Sequence, residues 1–429
     1  MVGAGLAGLA AALELKETGA HVELFERSRL LGGRATSFEI DGHEVDNGQH
    51  VFLACCTEFV AFARRIGMDQ HLHLQDRFDA LVLSRDGTAG RLRAGSLPAP
   101  FHLTASFLRY PHLNLNGKLR VARALAAALF AGNGAKDRPA TFEAWLVGTG
   151  QDAQTRRAFW DPFFIPALNA PFDRVGNADA MFVLSTAFLK DAGAARFGFS
   201  TVPLAHFAAA AAGRLDAVHL STAVVGVDAD NAGNGVRLRL LGDRILDFDA
   251  VVLAVPPRPL AKLLGDPHRY GIANLDVFEP YPIVDVHLWH DGASIGFDFA
   301  AALESPLQWI FEKSPGYLCC SFSAADEYLT LPTADLERLA WNEVRAFIPG
   351  LRDAKLVRSS VTRNPEATYL PPPGTRRPAQ ATAMSRVAIA GAWTETGWPD
   401  TMESAVRSGR AAAKALDGAV ARSSPERAS

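Results

Sequence analysis

Gly3-Ala4-Gly5-Leu6-Ala7-Gly8, read with the strand His21-Val22-Glu23-Leu24-Phe25-Glu26 that follows it, decides the fold. The spacing is GxGxxG, the turn that joins a strand to a helix in a dinucleotide-binding βαβ unit. Gly3 permits the tight turn, Gly5 lets backbone approach a pyrophosphate, and Gly8 lets the helix pack on the strand. Leu6, Leu9, Ala10 and Leu13 share one helical face, and Gly19 ends the helix. The first N–H groups of that helix, from Leu6 and Ala7 onward, have no intrahelical partner and favour phosphate. Glu26 closes the strand 23 residues after Gly3, close to the ~20-residue offset of the acid that holds an adenosine ribose. Arg27, beside it, is a further candidate on the cofactor side. A GxGxxG that merely made a turn would need neither the helix nor the acid.

Only Met1 and Val2 precede Gly3, whereas such a fold places a buried strand before its first glycine. Most of the first, central strand is therefore expected to be missing from this sequence, at a cost in stability.

The bulk numbers bound the rest. A chain of 429 residues has room for two or three domains, and 48% hydrophobic with 21% charged residues is ordinary globular composition. A formal net charge of −3 supplies no basic field for nucleic acid. The cysteines stand as adjacent pairs, Cys55-Cys56 and Cys319-Cys320, a spacing that suits neither a disulfide framework nor a zinc site. Free thiols, a cytoplasmic setting and no structural metal are expected. No secretory signal precedes the glycines, and the longest Ala/Leu-rich stretch, 119–131, is interrupted by Arg120 and Arg123.

Farther along, strand patterns are read at Val218 to Asp228, Val236 to Leu241, Ala250 to Val255, Ile283 to Trp289, Leu307 to Phe311, Tyr317 to Phe322 and Val387 to Gly391. Thr333 to Phe347 reads as a helix with Thr333 as N-cap, and Met402 to Leu416 as a final helix before a frayed polar tail. Residues 76–194, apolar and rich in Phe, Leu, Pro and Trp, read as mostly helical. The fold class is α/β: a Rossmann-type cofactor domain assembled from 1–75, 195–275 and 380–429. A mixed-sheet and helical substrate domain is expected from 76–194 and 276–379.

Three further signals point to FAD. Gly32-Gly33-Arg34 follows the ribose acid and brings a guanidinium toward the pyrophosphate. Asp249-Ala-Val-Val-Leu-Ala-Val-Pro256 is a buried strand of the kind flavoproteins place near the cofactor. Gly391 ends a strand and Met402 starts a helix whose N-terminal amides suit the flavin's pyrimidine oxygen, stabilising charge at N1. This ordered set resembles the amine oxidase and phytoene desaturase superfamily of flavoproteins.

Two longer motifs narrow the resemblance. Asp46-Asn-Gly-Gln-His50 with Val51-Phe52-Leu53, and the run from Ala390 through Gly391, Trp393, Trp398 and Met402 to Gly409, look like the squalene-associated FAD-dependent desaturases. These are understood as hydroxysqualene dehydroxylases of bacterial squalene and hopanoid synthesis. Pro306 to Lys313 and Glu366-Ala-Thr368 are similar to that family too. The resemblance implies that Gly48 and Gln49 lie near the isoalloxazine ring, that Val224 meets adenine through its backbone, and that Met402 sits at the pyrimidine end. It departs at Ala392, where the family usually carries an Asp that holds the ribityl chain; weaker FAD binding is expected. Thr401 stands where amine oxidases place an aromatic of their amine cage. Trp393 and Trp398 are candidates to line a substrate pocket, with core packing as the equal alternative.

The resemblance implies reductive removal of the hydroxyl of an apolar triterpene. His50 is the candidate proton donor, because imidazole titrates near neutrality; a structural histidine bonded to backbone fits as well. The electron donor stays unassigned. A carotenoid-type desaturase, moving hydride from substrate to FAD, and a redox-silent lipid carrier are the rival readings. The segment from Phe101 to Phe130 is apolar with Lys118, Arg120 and Arg123 as a basic fringe, and Leu119, Ala122, Leu125, Ala126 and Leu129 share a face. It is either a core helix of the substrate domain or a monotopic helix at the inner face of the cell membrane.

Overall fold

The computed structural model describes residues 1–40, 42–130, 140–229 and 235–420. The end of the polar tail, 421–429, and Ala131 lie outside the described residues. Residues 1–3 form the middle rung of a parallel sheet. Val2 bridges Phe25 on one side and Leu253 on the other. The Gly3 N–H donates to the Phe25 carbonyl at 2.8 Å and the Ala254 N–H to the Val2 carbonyl at 2.7 Å. Outward from this rung, Glu23–Phe25 pairs in parallel with Ala217–His219, and Val251–Leu253 with Val387–Ile389. Leu24, Val252, Leu253 and Ala388 are fully buried, as a parallel sheet covered on both faces requires.

The helix Leu6–Glu17 follows the glycine turn and packs along the last helix, Met402–Val420. Gly409 makes this approach possible: a Cβ there would run into the Ala7 carbonyl oxygen and crowd Ala10 and Ala11. The last helix runs four residues beyond the end read at Leu416. The stretch read as one strand from Val218 to Asp228 is two. Ala217–His219 joins the parallel sheet, and Val224–Ala229 belongs to an antiparallel meander with Val236–Leu240 and Ile245–Phe248.

A second sheet of seven strands lies across the cofactor half. Its spatial order is Leu356–Leu370, Glu279–His290, Tyr317–Ser323, Trp309–Ser314, Phe299–Ala302, Asp79–Leu83 and Ala89–Arg93. Three of its parts escaped the sequence, the short apolar strand Phe299–Ala302 among them. The hairpin 79–93 falls in a region read as helical. The 356–370 strand went unread because Pro365 and a polar run break its pattern. It is an edge strand, paired only with Glu279–His290 and irregular in register between Tyr281 and Ile283, where a proline removes no ladder bond that matters.

Period-two alternation gives the Glu279–His290 strand two chemistries. Val284, Val286 and Leu288 pack toward the helix Thr333–Phe347. Asp285, His287 and Trp289 point the other way, toward residues 43–50 of the cofactor half. Thr333 is the first residue of its helix and not its N-cap, a place taken by Pro332; its hydroxyl accepts from Arg363 instead.

Helices from Thr104 to Val183 and π-helical turns at Arg156–Trp160 and Leu184–Leu189 form a cap around an aromatic core of Phe142, Trp160, Phe164 and Phe172. Helix Leu115–Phe130 buries Gly117, Val121 and Ala124. Leu115, Leu119, Leu129 and Phe130 remain exposed, Phe130 at 87%. Among the described residues no helix is long and apolar enough to cross a membrane.

Candidate cofactor and active site

At the end where the sequence places the ribose acid, the Glu26 carboxylate is pinned beside the glycine turn. It accepts the Ala4 N–H at 2.8 Å on Oε2 and the Ser28 N–H at 2.8 Å on Oε1. The Thr222 N–H donates to the Glu26 carbonyl at 2.8 Å, which brings half-buried Val224, two residues on, to the same end; Arg27 is exposed beside it. The Gly32-Gly33 turn lies directly on the first, with Gly5 and Gly32 bridged and the Gly32 N–H donating to Ala4. A Cβ at Gly5 would find no atom nearer than 4.0 Å, so the space above it is open. The helix that starts at Leu6 has neither a side-chain cap nor an acid in its first turn. Its leading amides therefore face that space unneutralised.

Arg34 does not stand free for phosphate. Its guanidinium forks onto Asp400 at 2.9 and 3.0 Å and donates to the Ala367 carbonyl at 2.8 Å. Asp400 also takes the Tyr369 N–H at 2.8 Å. The pair ties the Gly33-Arg34 turn to the C-terminal block.

In that block the Gly391 N–H donates to Ser408 Oγ at 2.9 Å. Met402 opens the last helix, and beside it buried Glu403 accepts the Glu58 and Phe59 N–H groups while pairing with Arg407. Burial raises the Glu403 pKa, and these donors oppose the rise. Trp393 is corrected from a pocket residue to a core one. It is 1% exposed, lies edge-on to Phe278 and donates its indole N–H to the Val255 carbonyl. Trp398 is half-buried between Phe182 of the cap and the Arg407 guanidinium. Ala392 is buried. Ala392→Asp is expected to tighten FAD by about 10- to 100-fold, since a charge-assisted hydrogen bond is worth roughly 1.5–3 kcal/mol. Flavin titration of apoprotein checks this; an unchanged Kd would show that no ribityl hydroxyl meets position 392.

At the other end, residues 46–50 meet the seven-stranded sheet. Gly48 has φ +102°, and a Cβ on it would lie 2.5 Å from Asp285 Oδ2; only glycine suits both conditions. The Gln49 N–H donates to Asp285 Oδ1 at 3.3 Å, as does the Ser321 hydroxyl, with the Cys319 thiol at 3.9 Å. Asp285 is 1% exposed. Burial pushes its carboxyl up to about 6, against the pull of these donors. His287, two residues on, meets the Tyr317 hydroxyl at 2.8 Å and is held down to about 4 by burial.

His50 is half-buried; desolvation lowers its pKa, aided by Lys313 and Arg34 and opposed by Asp46. Its ring donates to the Asn47 carbonyl, and Nε2 is buried with no partner among the described residues. With the ring neutral and its proton on the carbonyl side, Nε2 accepts and does not donate. The structural reading of His50 fits this better than the proton-donor reading. Gln49 Oε1 is likewise buried and unpartnered. A cavity of ≈ 300 Å³ opens beside Gln49, with Phe199, Phe311, Lys313 and Tyr317 in its wall.

Asp285 was missed by sequence reasoning, although one signal was present: Ile283 to Trp289 carries an acid and a histidine, Asp285 and His287, at alternate positions among apolar residues.

An open glycine cradle, free helix amides, a pinned acid at one end and orphaned polar atoms at the other fit an extended dinucleotide cofactor. The fold and site define a flavin-dependent oxidoreductase. Residues 6–417 match the family described as flavin containing amine oxidoreductase; the chain belongs to this family, and FAD is its cofactor. The chain is 30% identical to a hydroxysqualene dehydroxylase of Rhodopseudomonas palustris over 96% of both chains. It is 25% identical to that of Zymomonas mobilis over 96% of this chain and 97% of the other. A zeta-carotene desaturase of Zea mays is also 25% identical, over 98% of this chain and 83% of its own length. Among solved structures, a putrescine oxidase superposes with a TM-score of 0.72 at 17% identity, covering 96% of this chain and 97% of its own. That likeness is one of fold.

Proposed function

We propose that this flavoprotein reductively removes the hydroxyl of an apolar triterpene alcohol, converting hydroxysqualene to squalene. The observation that carries the reading is the 30% identity to the Rhodopseudomonas dehydroxylase over 96% of each chain; the Zymomonas dehydroxylase at 25% falls within the 24–26% of the zeta-carotene desaturases. The 46–53 and 390–409 motifs support it. In the reaction the C–O bond breaks, its oxygen leaves as water, and the carbon gains hydrogen as reduced FAD becomes oxidised. Bound FAD supplies the two electrons. The protein must protonate the departing oxygen, keep water from the electron-poor carbon and hold that carbon in line. Phe199 and Phe311, in the wall of the cavity beside Gln49, suit a hydrocarbon chain.

The desaturase reading rests on the 25% identity to the maize enzyme and runs hydride the other way. Parallel incubations with hydroxysqualene and with zeta-carotene, each with a chemical reductant or a quinone, separate the two by product. Squalene formed only under reducing conditions supports the proposal; dehydrogenated carotene without squalene overturns it.

The substrate is collected at a membrane surface. Leu115, Leu119 and Ala122 are exposed on one stripe of helix Leu115–Phe130, continued by Leu129 and Phe130, and exposed Phe101 and Leu108 precede the helix. Arg109 and Arg123 are exposed nearby, and Lys118 reaches back to the Leu108 carbonyl. An outward apolar stripe with a basic fringe is the pattern of an interfacial helix on anionic lipid. A Leu119→Asp/Phe130→Asp variant is expected to lose at least about tenfold in co-sedimentation with vesicles containing anionic phospholipid. Wild-type protein that fails to sediment with either anionic or neutral vesicles contradicts the idea.

A further inference from the structure

The seven-stranded sheet turns a strip of polar side chains toward the 46–50 loop, and Asp285 is its buried centre. Register places Asp285 opposite Ser321 on one neighbouring strand and Thr362 on the other. The carboxyl is asymmetric. Its hydrogen bonds among the described residues, from Gln49, Ser321 and Cys319, arrive at Oδ1, while Oδ2 lies against the Cα side of Gly48. One oxygen is thus held by donors that stabilise negative charge, and the other is placed to carry a proton. Gly48 and Gln49 belong to the loop whose polar atoms, Gln49 Oε1 and His50 Nε2, are left without partners.

We propose that Asp285 is the acid of this site, its Oδ2 giving a proton to the substrate's departing hydroxyl oxygen while Oδ1 stays anchored to Ser321, Gln49 and Cys319. The inference rests on the dehydroxylase reading. The C–O bond breaks as the new O–H bond forms and water leaves. Bound reduced flavin would supply the hydride to the carbon and end oxidised, and the Asp285 carboxylate regains its proton from solvent through the cavity beside Gln49. The carboxyl titrates in the right range for this, because burial lifts it to about 6. The charged and titratable groups that act on it are Asp46 from the loop and Tyr317, Cys319 and Cys320 from the 317–323 strand; His50 from the loop, Lys313 from the 309–314 strand and His287 from its own strand surround Asp46.

The test compares hydroxysqualene with its acetate ester, whose leaving group needs no full proton, in anaerobic single turnovers of reduced, FAD-loaded protein. For wild type the alcohol's rate is expected to fall as pH rises above about 6, with the ester's rate flat. General acid catalysis is worth about 10²- to 10⁴-fold, so Asp285→Asn should lose at least about 100-fold on the alcohol and only a few-fold on the ester. Infrared spectra of the resting holoprotein should show a protonated-carboxyl band at pH 5 that fades by pH 8 and is absent from Asp285→Asn. Equal losses on both substrates reduce Asp285 to a residue that positions the loop, and the absence of a titrating band overturns the assignment outright. Wild type that converts neither compound, yet shows the band, overturns the dehydroxylase reading and with it the substrate assigned to this acid.

Discussion

Replacing Gly409 by valine is expected to abolish recovery of FAD-loaded protein. The helices Leu6–Glu17 and Met402–Val420 cross at this glycine, and the first atom a Cβ would meet is the Ala7 carbonyl oxygen, with Ala10 and Ala11 close behind. A side-chain end can rotate away; a helix carbonyl cannot. Overpacking a core ordinarily costs about 1–3 kcal/mol, and here relief requires the two helices to separate. The glycine turn leads into one and Met402, proposed to face the flavin, opens the other, so separation costs the proposed site as well as the fold. Gly418 on the same helix has no atom of the described residues within 4 Å of its Cβ position, and Gly418→Val is the control for helix propensity. The flavin-to-protein absorbance ratio after purification decides: near zero for Gly409→Val and near wild type for Gly418→Val. Full flavin content in Gly409→Val would show that the helices do not pack as described.

The second large effect is on stability against pH. The Asp285 carboxyl is raised to about 6 by burial from an ordinary value of 3.8. Between those values the folded protein holds a proton that the unfolded chain has released, so stability falls as pH rises through the window. The loss is about 2 pH units at 1.36 kcal/mol each, or roughly 3 kcal/mol. Asp285→Asn removes the charge that must be buried above pH 6. The unfolding free energy of the variant minus that of wild type, from urea titrations at saturating FAD, should therefore rise by about 3 kcal/mol between pH 4 and pH 8. A difference that stays constant with pH would mean that Asp285 is ionised in the fold at all these values.

What the sequence made legible were features whose physics is local. The GxGxxG turn, Glu26 and the helix at Met402 each depend on a few contiguous residues, and the structure puts them in one sheet-and-helix unit around Val2. Arg34 was visible as a guanidinium near the turn, but its partner Asp400 lies 366 residues away, and no local pattern announces such a pair. Trp393 and Trp398 stand five residues apart in one motif; only packing separates the core one from the one at the cap. The same limit hid Asp285. The alternation of Ile283 to Trp289 marked a strand, and which face met the cofactor half depended on a sheet assembled from distant segments, 79–93 and 356–370 among them. The outward turn of Leu115 and Leu119 was likewise undecided until Gly117, Val121 and Ala124 proved to be the buried side.

The direction of electron flow is the most direct test of the account. FAD-loaded protein, reduced without oxygen and mixed with one equivalent of hydroxysqualene, should regain the absorbance of oxidised flavin and yield one squalene per flavin. Flavin that stays reduced with hydroxysqualene, while the oxidised protein bleaches on mixing with zeta-carotene, would contradict it.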